Sequence, residues 1–111
     1  MIAKETFTIA NAGTASIGLH VPAHRLVGLI LPALDSTTIG FSVSHDNSTF
    51  VVVYTNSGTP AAATLGTADT GSKAVAVPEE IGRLAACMFI RLNVAAQNGG
   101  ARTIVGLFEK V

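Results

Sequence analysis

The stretch IGFSVSHDNSTFVVVYTNSGT, residues 39–59, decides the fold class of this chain. In its first half apolar residues alternate with small polar ones, the period-two pattern of a strand with one buried and one exposed face. The run from Phe50 to Tyr54 is β-branched or aromatic and predicts a second strand, covered on both faces or packed in an oligomer. Polar residues 45–49 between them predict a hairpin loop of about four to five residues. We expect Phe41 and Phe50 to point into the core.

The rest of the chain is punctuated by glycine, proline and asparagine at strand-length intervals. We predict a short strand around 62–65 inside a loop at 56–72, a turn or a single helical turn at 78–84, and the last strand pairing with the one before it. Further strands are predicted at about 5–10, 16–21, 26–31, 73–77, 87–94 and 102–111. Seven to nine strands without an amphipathic helix indicate an all-β fold, an antiparallel β-sandwich or a jelly-roll-like barrel. We expect one domain, 1–111, with a flexible N-terminal segment, 1–5.

Composition excludes several classes of function. Hydrophobic residues make up 49% of the chain and charged residues only 13%, whereas an average soluble domain has about 25% charged residues. Seven basic and seven acidic residues cancel, so we expect no nucleic-acid partner. The longest apolar stretch, 26–34, is interrupted by Pro32 and is too short to span a bilayer, so we expect no membrane partner. Cys87 lies in an apolar run and is expected in the core.

The residues that could carry chemistry do not form a recognisable site. His20 and His24 have the spacing of a helical zinc pair, but Pro22 between them predicts a strand and a turn. His45 and Asp46 stand near serines, without the glycine pattern of a nucleophile elbow. We therefore expect no catalytic residue, no metal, no cofactor and no enzymatic activity. Scattered aspartates leave a calcium site built from distant loops open.

Two side chains keep alternatives open. Arg91 lies in the middle of a predicted strand, where its charge faces solvent on an exposed sheet face or pairs with a carboxylate of another subunit. The exposed-face interpretation is preferred. Tyr54 is the one residue suited to a sugar-binding platform, although packing at a strand end is the commoner role.

Two motifs resemble a group of small structural proteins encoded by tailed bacteriophages. The first is F-x-V-S-x-D-x-x-T-F-x-x-V-Y, carried by Phe41, Val43, Ser44, Asp46, Thr49, Phe50, Val53 and Tyr54, followed by a turn at Gly58. The second is F-I-R-L and then Q-N-x-x-x-R-T-I, carried by Phe89, Ile90, Arg91, Leu92, Gln97, Asn98, Arg102, Thr103 and Ile104. The similarity spans residue 34 to the C-terminus. Discoidin-like binding domains also use an F-x-R-L strand.

This resemblance implies a virion component of the capsid decoration (cement) type. Such a protein is made in the host cytoplasm, binds the outer surface of the capsid and stabilises the shell by bridging its subunits. The implied partners are the major capsid protein and further copies of the chain, as a homotrimer. The alternative is a virion-borne β-sandwich that binds carbohydrate or another cell-surface group.

Binding on a rigid β scaffold is usually carried by termini and loops. We therefore expect the capsid contacts in the N-terminal segment and in the loop at 56–72. The residues predicted to bind a partner are Met1, Ile2, Ala3, Lys4, Glu5, Thr59 and Leu65.

Overall fold

The computed structural model describes residues 2–34, 38–54, 58, 60, 62–64, 73–97 and 99–111. Its elements, in chain order, are β1 (Ile2–Ile9), β2 (His24–Leu31), β3 (Thr38–Ser44), β4 (Val51–Val52), β5 (Ala62–Thr64), β6 (Lys73–Ala76), α1 (Glu79–Ala85), β7 (Phe89–Asn93) and β8 (Arg102–Lys110). The strands form two antiparallel sheets, and the apolar inner faces of the sheets meet in the core. This confirms the predicted all-β sandwich. The described strands do not close into a barrel.

The first sheet has the order β1-β8-β2-β6, with β8 hydrogen-bonded to strands on both of its edges. Its inner face carries Phe7 and Phe108, whose rings stack with centroids 6.3 Å apart. Gly106 lies beneath this pair, and a Cβ at that position would come within 2.7 Å of the Phe7 ring. The absence of a side chain at Gly106 therefore lets the two aromatic rings fill the centre of the core.

The second sheet is built around β3. Strand β7 pairs with β3 from Gly40 to Ser44 along one edge. Strand β4 pairs with Ser42 and Val43, and β5 pairs with residues 38–40, so both must lie along the other edge. The two short strands are thus pieces of one interrupted outer strand. The chain leaves this edge after Val53, whose N–H donates to the carbonyl of Phe41, and returns at β5.

The core is one continuous cluster of buried apolar side chains. Its fully buried larger members are Phe7, Ile9, Leu26, Leu29, Leu31, Ile39, Phe41, Ile81, Ile90, Leu92, Ile104 and Phe108. Helix α1 begins after Pro78 with two acidic residues in its first turn, which suits the positive end of the helix dipole. It packs against β2 and contributes Ile81 and Ala85 to the core.

Several predicted boundaries differ from the structure. Residues 2–5 are not a flexible segment but part of β1, because they pair with β8 from Ile2↔Glu109 to Glu5↔Gly106. The predicted strand at 16–21 is an irregular segment. It crosses between the sheets, with bridges from Ser16 to β1 and from Leu19 to β7, and so cannot follow a single strand.

The pairing predicted for the last strand is also wrong. Strand β7 has β3 on one edge and backbone bonds to the crossing segment on the other, including Ser16 N–H to Leu92 C=O at 2.9 Å. With both of its edges occupied, β7 offers no place for β8, which joins the opposite sheet. Ser16 also binds β7 through its side chain, because its Oγ accepts a hydrogen bond from the Leu92 N–H at 2.9 Å.

The hairpin is formed largely as predicted. The turn covers residues 45–49, and Asn47 adopts the left-handed conformation expected of a turn asparagine (φ 59°). Phe41 is fully buried, as predicted. Phe50 is not in the core, because the pairing of Val51 with Val43 turns Phe50 to the outer face. Cys87, expected in the core, is exposed at the C-terminal end of α1.

Candidate functional site

The outer strand of the second sheet exposes large apolar side chains. Val51 is 60% exposed, Val52 49% and Tyr54 60%, although this run has the composition of a buried strand. The described part of the chain does not cover these side chains, so of the two predicted alternatives it contradicts coverage on both faces, and packing in an oligomer stays a prediction. We call Val51, Val52 and Tyr54 the β4 patch.

The β4 patch also carries backbone groups that point away from β3. Because the Val53 N–H donates to Phe41 at 2.9 Å, residues 51 and 53 turn their backbone groups toward β3. Val52 therefore turns its N–H and C=O outward, where no described residue accepts or donates to them. An edge with open hydrogen-bonding groups can pair with another strand.

Phe50 and Arg91 form a layer on the outer face beside the β4 patch. The Arg91 guanidinium lies over the Phe50 ring, 4.3 Å from its centroid. Gly18 approaches the same ring closely, since a Cβ at that position would lie 2.7 Å from the tip of Phe50 and would also overlap the Asn47 side chain. The alternation of β7 is as predicted, with Arg91 half-buried on the outer face. Its Nε atom is buried and has no hydrogen-bond partner among the described residues.

The hairpin turn is held by a network centred on Asp46. Its Oδ1 accepts hydrogen bonds from the Ser44 hydroxyl at 2.8 Å, the Ser48 N–H at 2.9 Å and the Thr49 N–H at 3.1 Å. These donors, the Ser44 hydroxyl first, stabilise the carboxylate and lower the pKa of Asp46 from 3.8 to about 2. The turn is therefore fixed by an ionised aspartate.

The same hydrogen bonds show how the serine, histidine and aspartate of the turn are arranged relative to a hydrolytic triad. In a hydrolytic triad the serine donates to histidine, whereas the Ser44 hydroxyl donates to Asp46 and accepts from the Asp46 N–H at 3.2 Å. His45 is exposed on the turn. A cleft of about 270 Å³ runs beside these residues. Its lining is Val43, Ser44, His45, Asp46, Thr49, Val51 and Met88.

The two histidines with zinc-pair spacing contact different parts of the protein. His20 lies against Phe89, with ring centroids 5.4 Å apart, and its Nε2 is 3.4 Å from the Ala86 carbonyl. His24 uses its Nδ1 in a 2.9 Å contact with the Pro22 carbonyl. Among the described residues no cluster of three or more histidine, cysteine or carboxylate side chains could hold a metal ion.

A second cleft, of about 330 Å³, lies between β2 and α1 and is lined partly by Arg25 and Glu79. Arg25 Nη2 donates to Glu109 Oε1 at 2.6 Å, a pair that is partly exposed. The hydrogen bond and the opposite charge lower the pKa of Glu109 and raise that of Arg25. Because each charge already has a partner, this cleft offers no free cation or carboxylate from that pair.

The predicted partner-binding residues fall into two groups. Ile2, Lys4 and Glu5 are exposed on β1, while Ala3 is half-buried and packs against the core. The three others lie outside the described residues: Met1, Thr59 and Leu65. The described part of the predicted N-terminal contact segment therefore lies at the edge of a sheet and not in a flexible tail.

Sequence reasoning missed Val51 and Val52 as surface residues. A signal was present, because no charged residue occurs between Asp46 and Asp69. Contiguous exposed apolar surface marks interaction sites, so a long uncharged run that includes a strand is compatible with a surface that is covered only on assembly.

Neither a known protein family model nor a curated protein matches this chain. In the part of the chain that the structure describes, none of the helices is long and apolar enough to cross a membrane.

Proposed function

We propose that this protein is a bacteriophage virion component that binds the outside of the capsid and stabilises the shell by bridging its subunits. The observation that carries the proposal is the uncharged, apolar β4 patch on a well-packed sandwich. Large exposed apolar groups on a small domain are typical of interaction surfaces. The motif resemblance to phage structural proteins supplies the class of partner, the major capsid protein. The function requires no active site.

The second support is the position of the predicted contact residues. Ile2 and Lys4 lie on β1, an outer strand of the first sheet, and both are exposed. A contact made there starts from an ordered strand, so binding loses less conformational entropy than it would from a free tail. The homotrimer implied by the resemblance stays a prediction, and light scattering measures it.

A binding experiment with capsids tests the proposal. Capsids of the phage that encodes the chain, prepared without it, should retain the purified protein on sedimentation and should withstand a higher temperature before releasing DNA. The stabilisation follows from mass action, because the protein binds the assembled lattice. Failure to co-sediment, or equal heat resistance with and without bound protein, contradicts the function.

A pair of variants locates the contact. Ile2→Ser with Lys4→Ser removes an apolar and a charged side chain from the exposed face of β1 and should lower capsid occupancy. Arg83→Ser, at a highly exposed position of α1, is the matched control and should bind like the parent. Equal occupancy for all three proteins would remove β1 from the capsid interface.

The alternative, a carbohydrate- or cell-surface-binding module, is favoured by one observation. Tyr54 is 60% exposed, so its ring is available to stack on a sugar face and is not packed within the described part of the chain. A glycan array is the discriminating measurement. Binding that Tyr54→Ala abolishes would favour the module over the capsid protein.

A further inference from the structure

Two outer strands among the described residues expose large side chains, β1 in the first sheet and β4 in the second, whereas β6, the other outer strand of the first sheet, exposes only alanines. Each could pair with the same strand of a second copy, because an antiparallel edge contact is self-complementary about a two-fold axis. The charges on the two strands decide which pairing is favourable.

Self-pairing of β1 is opposed by its charges. The Thr8 carbonyl already accepts from the Ile17 N–H at 3.2 Å, so the open part of the edge is residues 2–7. In an antiparallel pair, a residue that directs its backbone groups toward the partner strand must face a residue that does the same. A two-fold pairing of residues 2–7 with their own copy is therefore centred on a single residue, and the two longest such pairings are centred on Lys4 and on Glu5. The first pairing places Lys4 directly opposite Lys4 of the copy, and the second places Glu5 opposite Glu5. In both cases the two like charges destabilise the strand pair.

Self-pairing of β4 brings no like charges together. With the two-fold axis at Val52, the outward N–H and C=O of Val52 bond to those of the copy. Val51 then faces Val53 of the copy, and Phe50 faces Tyr54, an aromatic cross-strand pair. No charged residue lies between Asp46 and Asp69, so this contact is uncharged throughout its length.

We propose that the β4 patch is a homotypic interface in which β4 of one copy pairs antiparallel with β4 of a second, centred on Val52. The partner is a second copy because the two strands present the same apolar side chains and the same open backbone groups to each other. On the capsid this contact would link neighbouring copies of the protein, which deepens the proposed function. Only that role on the capsid rests on the proposed function, and the interface itself does not.

The two-fold contact predicts an even number of chains, whereas the resemblance predicts three. Multi-angle light scattering across a micromolar to millimolar concentration series should show the mass rising from 11.3 kDa to twice that value. A monomer at every concentration, or a trimer, overturns the interface. Capsid binding by the parent protein is measured separately, so failure of the interface is distinguishable from failure of the function.

A charge variant tests the site. Val52→Lys places two ammonium groups opposite each other at the axis and should weaken dimerisation by about tenfold or more. Val52→Thr keeps the branched shape and should dimerise nearly as the parent does. Ile30→Lys, on the exposed face of β2, adds the same charge to the other sheet and is the matched control. Equal dimerisation by Val52→Lys and the parent excludes β4.

Cross-linking tests the register. With Cys87→Ser as background, Val52→Cys places the two thiols across the axis at a Cα separation of about 5.5 Å, within disulfide range. Mild oxidation should give a covalent dimer. Ile30→Cys in the same background is the control for random collision. Cross-linking at both positions at the same rate overturns the register.

Discussion

Strands β3 and β4 are neighbours in the hairpin and both have strongly β-forming sequences, yet their surroundings are opposite. In β3 the inward Phe41 is fully buried, and even the outward Ser42 and Ser44 are buried. In β4 the inward Val51 and the outward Val52 are both exposed. Burial in this sandwich is therefore set by the neighbours of a strand rather than by the hydrophobicity of its residues.

The neighbours of β3 explain its burial. Both of its edges are paired, and its outer face is covered by side chains from β7 and the turn. Asn93 donates from its Nδ2 to the Ser42 hydroxyl at 2.7 Å, and Ser44 is bonded to Asp46. Among the described strands β4 pairs with β3 alone, and Val51 lines the cleft beside the turn. An exposed strand of this composition is the part of the fold best suited to a partner.

The largest expected difference between the two strands is in the free energy of unfolding. Phe41→Ala should lower the stability by about 3–5 kcal/mol, because it removes a fully buried ring from a packed core. Urea unfolding measures the change. Val52→Ala is the control on β4 and should cost far less. A loss below about 1 kcal/mol for Phe41→Ala would mean that the register is shifted by one residue.

The second phenylalanine of the hairpin should have an intermediate effect. Phe50→Ala removes the ring beneath Arg91 and should cost about 1–2 kcal/mol, from the cation–π contact and partial burial. Phe50→Leu keeps apolar volume without the aromatic face, so its loss relative to the parent isolates the cation–π part, and the difference between the two variants measures the apolar burial. A cost as large as that of Phe41→Ala would place Phe50 in the core and erase the contrast.

The sequence was sufficient for the elements whose pattern is local. Alternation located β3 and the buried face of β7, and turn chemistry located residues 45–49. The short strand predicted near Ala62 is present as β5, and the predicted turn after Pro78 is the start of α1. These features depend on side-chain periodicity and on residues that favour turns, which a single sequence displays.

Features that depend on partners distant in sequence could not be predicted in the same way. Which sheet β8 joins depends on whether the edges of β7 are already occupied, and the crossing segment occupies one of them through Ser16 and Leu19. The orientation of Phe50 depends on the pairing of Val51 with Val43. A run of β-branched residues is the same string whether it is covered by its own chain, by a second copy or by solvent.

The smallest expected effect concerns the turn that joins β3 to β4. The pKa of Asp46 is lowered to about 2 from an ordinary value of 3.8, so the ionised side chain stabilises the folded state above about pH 4. That contribution is lost as the pH falls from 3.8 toward 2, because the folded protein must then take up a proton that the unfolded chain has already bound. Asp46→Asn keeps an oxygen acceptor but removes the charge, so its stability should depend less steeply on pH in this window.

Urea midpoints of the parent and of Asp46→Asn between pH 7 and pH 2 measure the effect. The parent should be the more stable protein at neutral pH, and the difference should shrink to near zero as the pH approaches 2. Glu80→Gln, at an exposed position of α1, is the control for removal of a carboxylate and should not reproduce the convergence. A difference that stays constant across the range would show that the hydrogen bonds of the turn do not depend on the charge of Asp46. The conformation of the turn would then hold β4 beside β3 without the ionised carboxylate, and protonation of Asp46 at low pH would not weaken the pairing of β4 with β3.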